Sequence, residues 1–347
     1  MGATLTTFSC LAAIISNSAS SLWDGDREMV SVYHTRLQKF GFKAVFISLS
    51  QGAPMMRGGP KLSQSVKKVT TRTLQRMKKK KEPIAMITAY DFPTAKIADK
   101  AGADMILVGD SLGMVVLGYE STIPVTLEDM IHHTKAVTRG TKRAMVIADL
   151  PFMIAHLSKD EVLRASARLL QVAGAYGVKL EGGSEVCANV KALTTAGIPV
   201  VAHLGLTPQS VNQLGGYLIQ GKDEKSAKHL IAEAKRLQEA GAIALVLECV
   251  PEELAQVITD SLYIPVIGIG AGRFCDGQVL VYHDILQFGG DFTPSFVKTY
   301  ASVGKAMAEG VQAYIQDVKQ HRFPEENHVT HLSQETVAAV YGTSEGN

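Results

Sequence analysis

The sequence is poor in cysteine, tryptophan and long apolar runs. Its 347 residues include one tryptophan and four cysteines, at positions 10, 187, 249 and 275. No two of these cysteines have the Cys-x-x-Cys spacing of a zinc or redox site, and so few thiols favour a reducing compartment. Because no run of 18 or more apolar residues occurs, we expect no membrane-spanning helix and no membrane partner.

Acidic residues are distributed unevenly. Residues 29–81 contain no Asp or Glu, whereas residues 82–347 hold 30 Asp and Glu against 21 Lys and Arg, a net charge of −9. The overall charge of +2 therefore comes from the N-terminal part alone. A mildly acidic body of this kind argues against nucleic acid as a partner.

Residues 1–81 form a basic, acid-poor leader that is rich in Ser, Thr, Lys and Arg and shows no alternation of strands and helices. This composition is typical of organellar transit peptides. We predict a disordered segment that directs the protein to the mitochondrion, with the plastid as the alternative. Two other interpretations stay open: a solvated tail, or an RNA-binding arm built on the charge block Lys78–Lys81, which lacks interleaved aromatic residues.

The rest of the chain is organised around five short apolar runs that each end in one ionisable residue. These final residues are Asp110, Asp149, Glu181, His203 and Glu248. Buried parallel strands have this pattern, and in a barrel of such strands the carboxyl ends carry the chemistry. We therefore expect these five side chains to share one pocket.

Helix signals separate these strands, for example the capping box Thr126–Asp129 and the amphipathic run 223–240. Seven or eight strand–helix alternations in residues 82–330 predict an α/β protein with the (β/α)8 TIM barrel fold, followed by a C-terminal tail, residues 331–347. The eighth strand is either 279–282 or 296–298. A doubly wound sheet is the alternative, but Thr88–Asp91 offers no glycine-rich dinucleotide turn after the first strand.

Three of the ionisable residues end consecutive strands, which are neighbours in a barrel. Carboxylates of Asp110, Asp149 and Glu181 held close together would repel one another unless a cation or protons intervene. A hard divalent ion that prefers oxygen ligands, Mg²⁺ above all, fits such a group. For any one of these acids, a helix cap or a surface salt bridge is the alternative.

The other ionisable residues have two interpretations each. Lys179 lies two residues before Glu181 on the same strand and so points to the same side; it either binds the carboxylate of a substrate or pairs with Asp149 for structure only. His203 is either catalytic or a hydrogen-bonded core histidine. Glu248, detached from the three acids, is either a general base or the partner of His203 or a lysine.

Two long, glycine-punctuated connections follow the second and fifth strands, residues 111–125 and 204–222. Connections of this length inside a compact domain are often lids over a site.

Six motifs, in this order, resemble those of the ketopantoate hydroxymethyltransferase (3-methyl-2-oxobutanoate hydroxymethyltransferase) family. The resemblance extends from about Ile84 to about His328. The leader before about Thr73 has no counterpart in the bacterial family and looks like the extension of an organellar, plant-type member. The motifs are Val108–Met114, Ala148–Met153, Lys179–Gly183, His203–Ser210, Leu247–Val250 and Ile267–Gly272.

The resemblance implies a TIM barrel of the phosphoenolpyruvate/pyruvate type in which Asp110, Asp149 and Glu181 hold Mg²⁺. It also implies that the 2-oxo acid, 3-methyl-2-oxobutanoate, is bound by Asp110, Ser111, Asp149 and Lys179. The proton acceptor would be Glu248, with Lys179 and His203 as further catalytic residues.

The implied reaction transfers a hydroxymethyl group from 5,10-methylenetetrahydrofolate, the co-substrate, to the Mg²⁺-stabilised enolate of the 2-oxo acid and gives 2-dehydropantoate for pantothenate synthesis. The family also implies a homo-oligomer, possibly a decamer. Two alternatives remain: a Mg²⁺-dependent C–C lyase acting on a 2-oxo or 2-hydroxy acid, and a non-catalytic assembly protein, which the intact acidic residues disfavour.

Overall fold

The computed structural model describes residues 67–289 and 293–342. Within them, eight parallel strands pair in sequence order, and the eighth pairs with the first to close a barrel. The predicted (β/α)8 fold is therefore confirmed. The strands are β1 Ile84–Thr88, β2 Met105–Val108, β3 Met145–Asp149, β4 Gly177–Glu181, β5 Val200–Gly205, β6 Ala244–Glu248, β7 Val266–Ile269 and β8 Gly277–Leu280.

Helices follow most of the strands, and those between β1 and β7 pack around the barrel. Along the described chain they are α1 Thr71–Lys80, α2 Phe92–Ala101, α3 Leu112–Val115, α4 Leu127–Gly140, α5 Lys159–Gln171, α6 Cys187–Thr195, α7 Val211–Leu214, α8 Glu224–Glu239, α9 Glu252–Ser261, α10 Tyr282–Leu286, α11 Val303–Lys319 and α12 Gln334–Tyr341. None of the helices in this part of the chain combines the length and apolarity needed to cross a membrane.

The side chains follow the alternation of the strands. Residues such as Met86, Met105 and Val246 point inward and fill the barrel, whereas Ile106, Val178 and Leu245 face the surrounding helices. Since β2 to β6 are covered on both sides, they are almost continuously apolar. The two faces form separate clusters, one inside the barrel and one between strands and helices.

Helix α1 closes the amino-terminal end of the barrel. Val69, Leu74 and Met77 are buried among the inward-facing residues, and Lys78 Nζ lies 2.6 Å from Asp276 Oδ2 just before β8. The predicted start of the barrel at residue 82 is therefore wrong, because residues 71–80 are a packed helix and not part of a disordered leader. The prediction of a transit peptide falls largely on residues 1–66, which lie outside the described residues.

Local sequence signals begin the helices as expected. Thr126 accepts a hydrogen bond from the Asp129 backbone N–H, and the Asp129 carboxylate accepts one from that of Thr126, which forms the predicted capping box at α4. Strand eight is β8, close to the first of its two predicted positions, and residues 296–298 are not a strand. The predicted tail, residues 331–347, includes α12 in its described part.

The helical layer is incomplete outside β1 and β8. Ile84, Met86 and Val279 point into the barrel, so the alternating residues Ala85, Ile87, Gln278 and Leu280 face outward. Ala85 and Gln278 are exposed and the other two are half-buried, in contrast to the fully buried strands β2, β3 and β4.

Helix α11, which should cover this face in a complete barrel, buries none of its residues. Its exposed large apolar residues recur at helical spacing along one stripe: Met307, Val311, Tyr314, Ile315 and Val318.

Candidate active site

Pairing of neighbouring strands brings the ionisable residues together at the carboxyl end of the barrel. Asp149 lies opposite Lys179, and Glu181 lies opposite His203. Gly205 lies opposite Glu248, with a positive φ of 93°, and a Cβ there would come within 2.1 Å of the Glu248 carbonyl oxygen. Only glycine therefore lets β5 and β6 approach this closely at the rim.

An unbroken chain of charged contacts runs across β3, β4, β5 and β6. Lys179 Nζ lies 3.1 Å from Asp149 Oδ2 and 3.9 Å from Glu181 Oε1. His203 continues the chain, with Nδ1 3.4 Å from both Glu181 Oε1 and Lys179 Nζ, and with Nε2 3.2 Å from Glu248 Oε2; neither contact with a carboxylate is aligned for a hydrogen bond. The side chain of Glu248 is 15% exposed, whereas the other four are at most 5% exposed.

Asp110 joins this chain from the end of β2. Its backbone N–H donates to Asp149 Oδ2 at 3.0 Å, and its own Oδ2 accepts from Gln209 Nε2 at 2.7 Å. The Gln209 backbone N–H donates to Glu181 Oε2 at 3.0 Å. The three acids thus share partners in one buried cluster.

Burial and mutual repulsion act on the acids of this cluster. The pKa of Asp110 is raised well above its ordinary value, first by burial and then by the charges of Asp149 and Glu181. Burial also raises the pKa of Asp149, although Lys179 opposes the shift. Burial would raise the pKa of Glu181 too, but contacts with His203 and Lys179 outweigh it and lower the value.

Both basic residues in the cluster are held in their charged forms. Burial lowers the pKa of Lys179, but the surrounding carboxylates outweigh burial and raise it above the ordinary value. Burial and the Lys179 ammonium lower the pKa of His203, whereas Glu181 and Glu248 raise it more, to about 9. The His203 ring therefore lies between two carboxylates that raise its pKa and an ammonium that lowers it.

The donor set fits a hard divalent cation. Three buried carboxylates supply oxygen ligands, and Asp149 Oδ1 is buried without a hydrogen-bond partner, which is costly unless a cation or water pairs with it. In the described residues no three acidic, histidine or cysteine side chains already converge as a ligand set; Lys179 and Gln209 contact oxygens of Asp149 and Asp110. The acids therefore suit an ion chemically.

Ser111 has a partner that the sequence analysis did not identify. The hydroxyl of Tyr90, just after β1, lies 2.8 Å from Ser111 Oγ, and the Tyr90 carbonyl lies 2.7 Å from His133 Nδ1. Burial raises the pKa of Tyr90, so that its phenol stays protonated. The sequence signal for Tyr90 was its position at the end of the first apolar run. A tyrosine at that position is equally compatible with a place in the core.

A family model for ketopantoate hydroxymethyltransferase matches residues 68–326, about three quarters of the chain. The chain belongs to the ketopantoate hydroxymethyltransferase family. The family predicted from six motifs is thereby confirmed, and the match begins upstream of α1, in agreement with the packing of that helix.

Curated relatives of the family cover the same region. Proteins named 3-methyl-2-oxobutanoate hydroxymethyltransferase from Geobacillus sp. (strain WCH70) and Bacillus cereus (strain G9842) are 59% and 57% identical over 267 residues, which are 77% of this chain and 96% of each relative. Phosphoenolpyruvate phosphomutase from Streptomyces platensis subsp. rosaceus has the same fold, with a TM-score of 0.50 at 15% identity over 78% of this chain and 95% of that structure. This likeness shows the barrel fold alone.

The structure of this hydroxymethyltransferase family member brings the predicted residues together. Asp110, Asp149, Lys179, Glu181, His203 and Glu248 form one cluster, with Ser111 beside it. We expected Glu248 to be detached from the three acids. It is connected to them instead, because His203 lies between Glu248 and Glu181. The contacts include the pairs that the alternative interpretations require, Lys179 with Asp149 and His203 with Glu248, so the catalytic roles stay predictions.

The pKa of His203 predicts a pH-dependent contribution to stability. A histidine whose pKa rises on folding from 6.5 to about 9 stabilises the fold fully below pH 6.5, and this stabilisation is lost as the pH rises through about 9. In the presence of a chelator, His203→Gln should therefore lower the free energy of unfolding more at pH 6 than at pH 9.5, by on the order of 3 kcal/mol.

Urea denaturation at the two pH values measures this difference, and His132→Gln, at an exposed position of α4, is the matched control. An equal loss at both pH values would show that His203 is not held as an imidazolium.

Proposed function

We propose that this protein transfers a hydroxymethyl group from 5,10-methylenetetrahydrofolate to 3-methyl-2-oxobutanoate, giving 2-dehydropantoate in pantothenate biosynthesis. Family membership and the names of the curated relatives support the reaction class. The observation that carries the proposal is the continuous buried chain from Asp110 to Glu248, which places acids, a lysine and a histidine at one barrel mouth.

The charges of the cluster suit an anionic 2-oxo acid. Lys179 is a buried ammonium that can bind a carboxylate or a keto oxygen, and the Ser111 hydroxyl, held by Tyr90, can donate a hydrogen bond beside it. Glu248 is the most open carboxylate of the cluster and can take the proton from C3 of the acid. The adjacent His203, with Nε2 3.2 Å from Glu248 Oε2, can keep this carboxylate in place.

Mg²⁺ is the cation that we propose for the three acids, with Asp110, Asp149 and Glu181 as its protein ligands. When bound, it would supply positive charge next to the oxygen that becomes negative as the C3 proton leaves. The role of the protein is to hold these three carboxylates in their ionised form around the ion. Lys179 already compensates two of them, and release of its pair with Asp149 would free that ammonium for the substrate.

A homo-oligomer is the assembly that we propose, with a second copy of the chain covering the apolar residues left exposed. The stripe of α11 and the incompletely covered outer face of β1 and β8 support this assembly, because apolar surface of this kind is costly in water. The decameric size stays a prediction.

We also propose delivery to the mitochondrion by the N-terminal leader, with the plastid as the alternative. The support is its composition: basic, hydroxyl-rich and without acids from residue 29 onward.

The role of Glu248 can be tested without folate. Deuterium exchange at C3 of 3-methyl-2-oxobutanoate, followed by NMR, should require Mg²⁺ and should slow about 100-fold to 10,000-fold in Glu248→Gln, the typical contribution of a general base. Glu253→Gln, which removes an exposed carboxylate from the neighbouring α9, is the control and should exchange at the wild-type rate. Full exchange in Glu248→Gln would remove this residue from the base role, and exchange that ignores a chelator would contradict the metal.

The assembly proposal predicts that a charge on the α11 stripe dissociates the oligomer. Val311→Asp should reduce the mass measured by sedimentation velocity, because a buried carboxylate would be uncompensated in the interface. Ala313→Asp places the same charge on the opposite side of this helix and should leave the mass unchanged. A wild-type chain that sediments as a monomer contradicts the proposal.

The localisation proposal predicts where a fluorescent fusion accumulates. Residues 1–81 fused to a fluorescent protein should colocalise with a mitochondrial marker, whereas a fusion of residues 67–347 should not. Accumulation in the plastid would favour the alternative, and a diffuse signal from the first fusion would exclude both organelles as targets of the leader.

A further inference from the structure

The connection between β5 and α8 reaches the acidic cluster through one buried side chain. Gln209, in the 3-10 turn Pro208–Ser210, is 7% exposed. Gln213, four residues further on the same connection, is exposed. A polar side chain buried this deeply needs hydrogen-bond partners, and these partners show what Gln209 does.

Gln209 contacts the ends of three successive strands. Its Nε2 amide group donates to Asp110 Oδ2 after β2, at 2.7 Å, and to the Leu150 carbonyl after β3, at 2.9 Å. Its backbone N–H donates to Glu181 Oε2 at the end of β4, at 3.0 Å. One residue thus binds two of the three acids and the backbone next to the third, Asp149.

We propose that Gln209 is a positioning residue that fixes Asp110 and Glu181 in the orientation that receives the divalent cation. This inference rests on the proposed function, since it assumes that the acids hold an ion. Both N–H groups of the amide are used as donors, so the carboxamide is held at both hydrogens and cannot rotate freely. Asp110 Oδ2 is held by this bond, which leaves Oδ1 of the same carboxylate for the ion.

The chemistry of the amide is as important as its position. The amide is a neutral donor, so it holds the Asp110 carboxylate without adding a charge that competes with the ion. A lysine at this position would add positive charge and repel the cation. Residues that orient metal ligands in this way typically change metal affinity about 10- to 100-fold when they are replaced.

The position of Gln209 also connects the ion to the surrounding loops. Its backbone bond to Glu181 depends on the path of the β5–α8 connection, which further along places the Tyr217 hydroxyl 3.9 Å from Met114 Sδ of the β2–α4 connection. The backbone hydrogen bond of Gln209 thus joins the β5–α8 connection to one of the acids.

The test is ion binding by the folded, substrate-free full-length protein. Gln209→Met keeps the length and apolar stem of the side chain but removes both donors. Its dissociation constant for Mn²⁺, measured by electron paramagnetic resonance, and for Mg²⁺, measured by calorimetry, should rise at least about tenfold. Gln213→Met makes the same chemical change at the exposed position and should bind like the wild type.

A second variant keeps the inference testable if Gln209→Met does not fold. Gln209→Asn retains the amide but is one methylene shorter, so it cannot reach Asp110 and Leu150 together, and its affinity should fall as well. Thermal unfolding without metal is recorded for every variant, because a purely structural role would lower the melting temperature and leave the dissociation constant of the folded protein unchanged.

The outcomes separate the two proposals. If the wild type binds neither ion, the metal site itself is wrong. If the wild type binds and both Gln209 variants bind equally tightly, the metal site stands and the inference about Gln209 is overturned. A rise in the dissociation constant in both Gln209 variants, but not in Gln213→Met, supports the inference.

Discussion

The balance of charge inside the barrel mouth is the constraint on which the site depends. Three buried carboxylates, Asp110, Asp149 and Glu181, face one lysine and one histidine, and the carboxylate of Glu248 adds a fourth negative charge. Charges this close in a poorly solvated site are costly unless each is compensated. Every hydrogen bond to these acids therefore serves the fold and the chemistry at once, which is why residues from five strand ends and one long connection participate.

The barrel determines which charges can meet. Its parallel pairing fixes Asp149 beside Lys179 and Glu181 beside His203, so the order of residues along the chain becomes the order of charges around the rim. The interior below the rim is apolar and closed by α1, so the cost of burying these charges is met by their contacts with one another. The site thus combines a rigid scaffold with groups whose ionisation depends on one another, an arrangement that suits proton abstraction from a weak carbon acid.

The sequence predicted the parts of the structure that local rules control. The apolar runs ending in ionisable residues marked the strands and the cluster, and the capping box at Thr126 marked the start of α4. It did not predict α1, because the basic run Lys78–Lys81 resembles part of a leader. Only the structure shows that Leu74 and Met77, which precede this run, pack at the amino-terminal end of the barrel. It also missed Gln209 and Tyr90, whose importance comes from distant partners, and left the pair of Glu248 with His203 as one of two interpretations, because no pattern within a strand shows which contact forms.

The position of α1 has a consequence for biosynthesis. The helix leaves the ribosome before any strand of the barrel, yet Lys78 pairs with Asp276, 198 residues later. The floor of the barrel can thus be sealed only after the seventh strand has been made. Until then the apolar face of α1, with Leu74 and Met77, has no permanent partner, and the nascent chain exposes this amphipathic segment. Such long-range closure is slow, and it leaves apolar surface open to aggregation until it is complete.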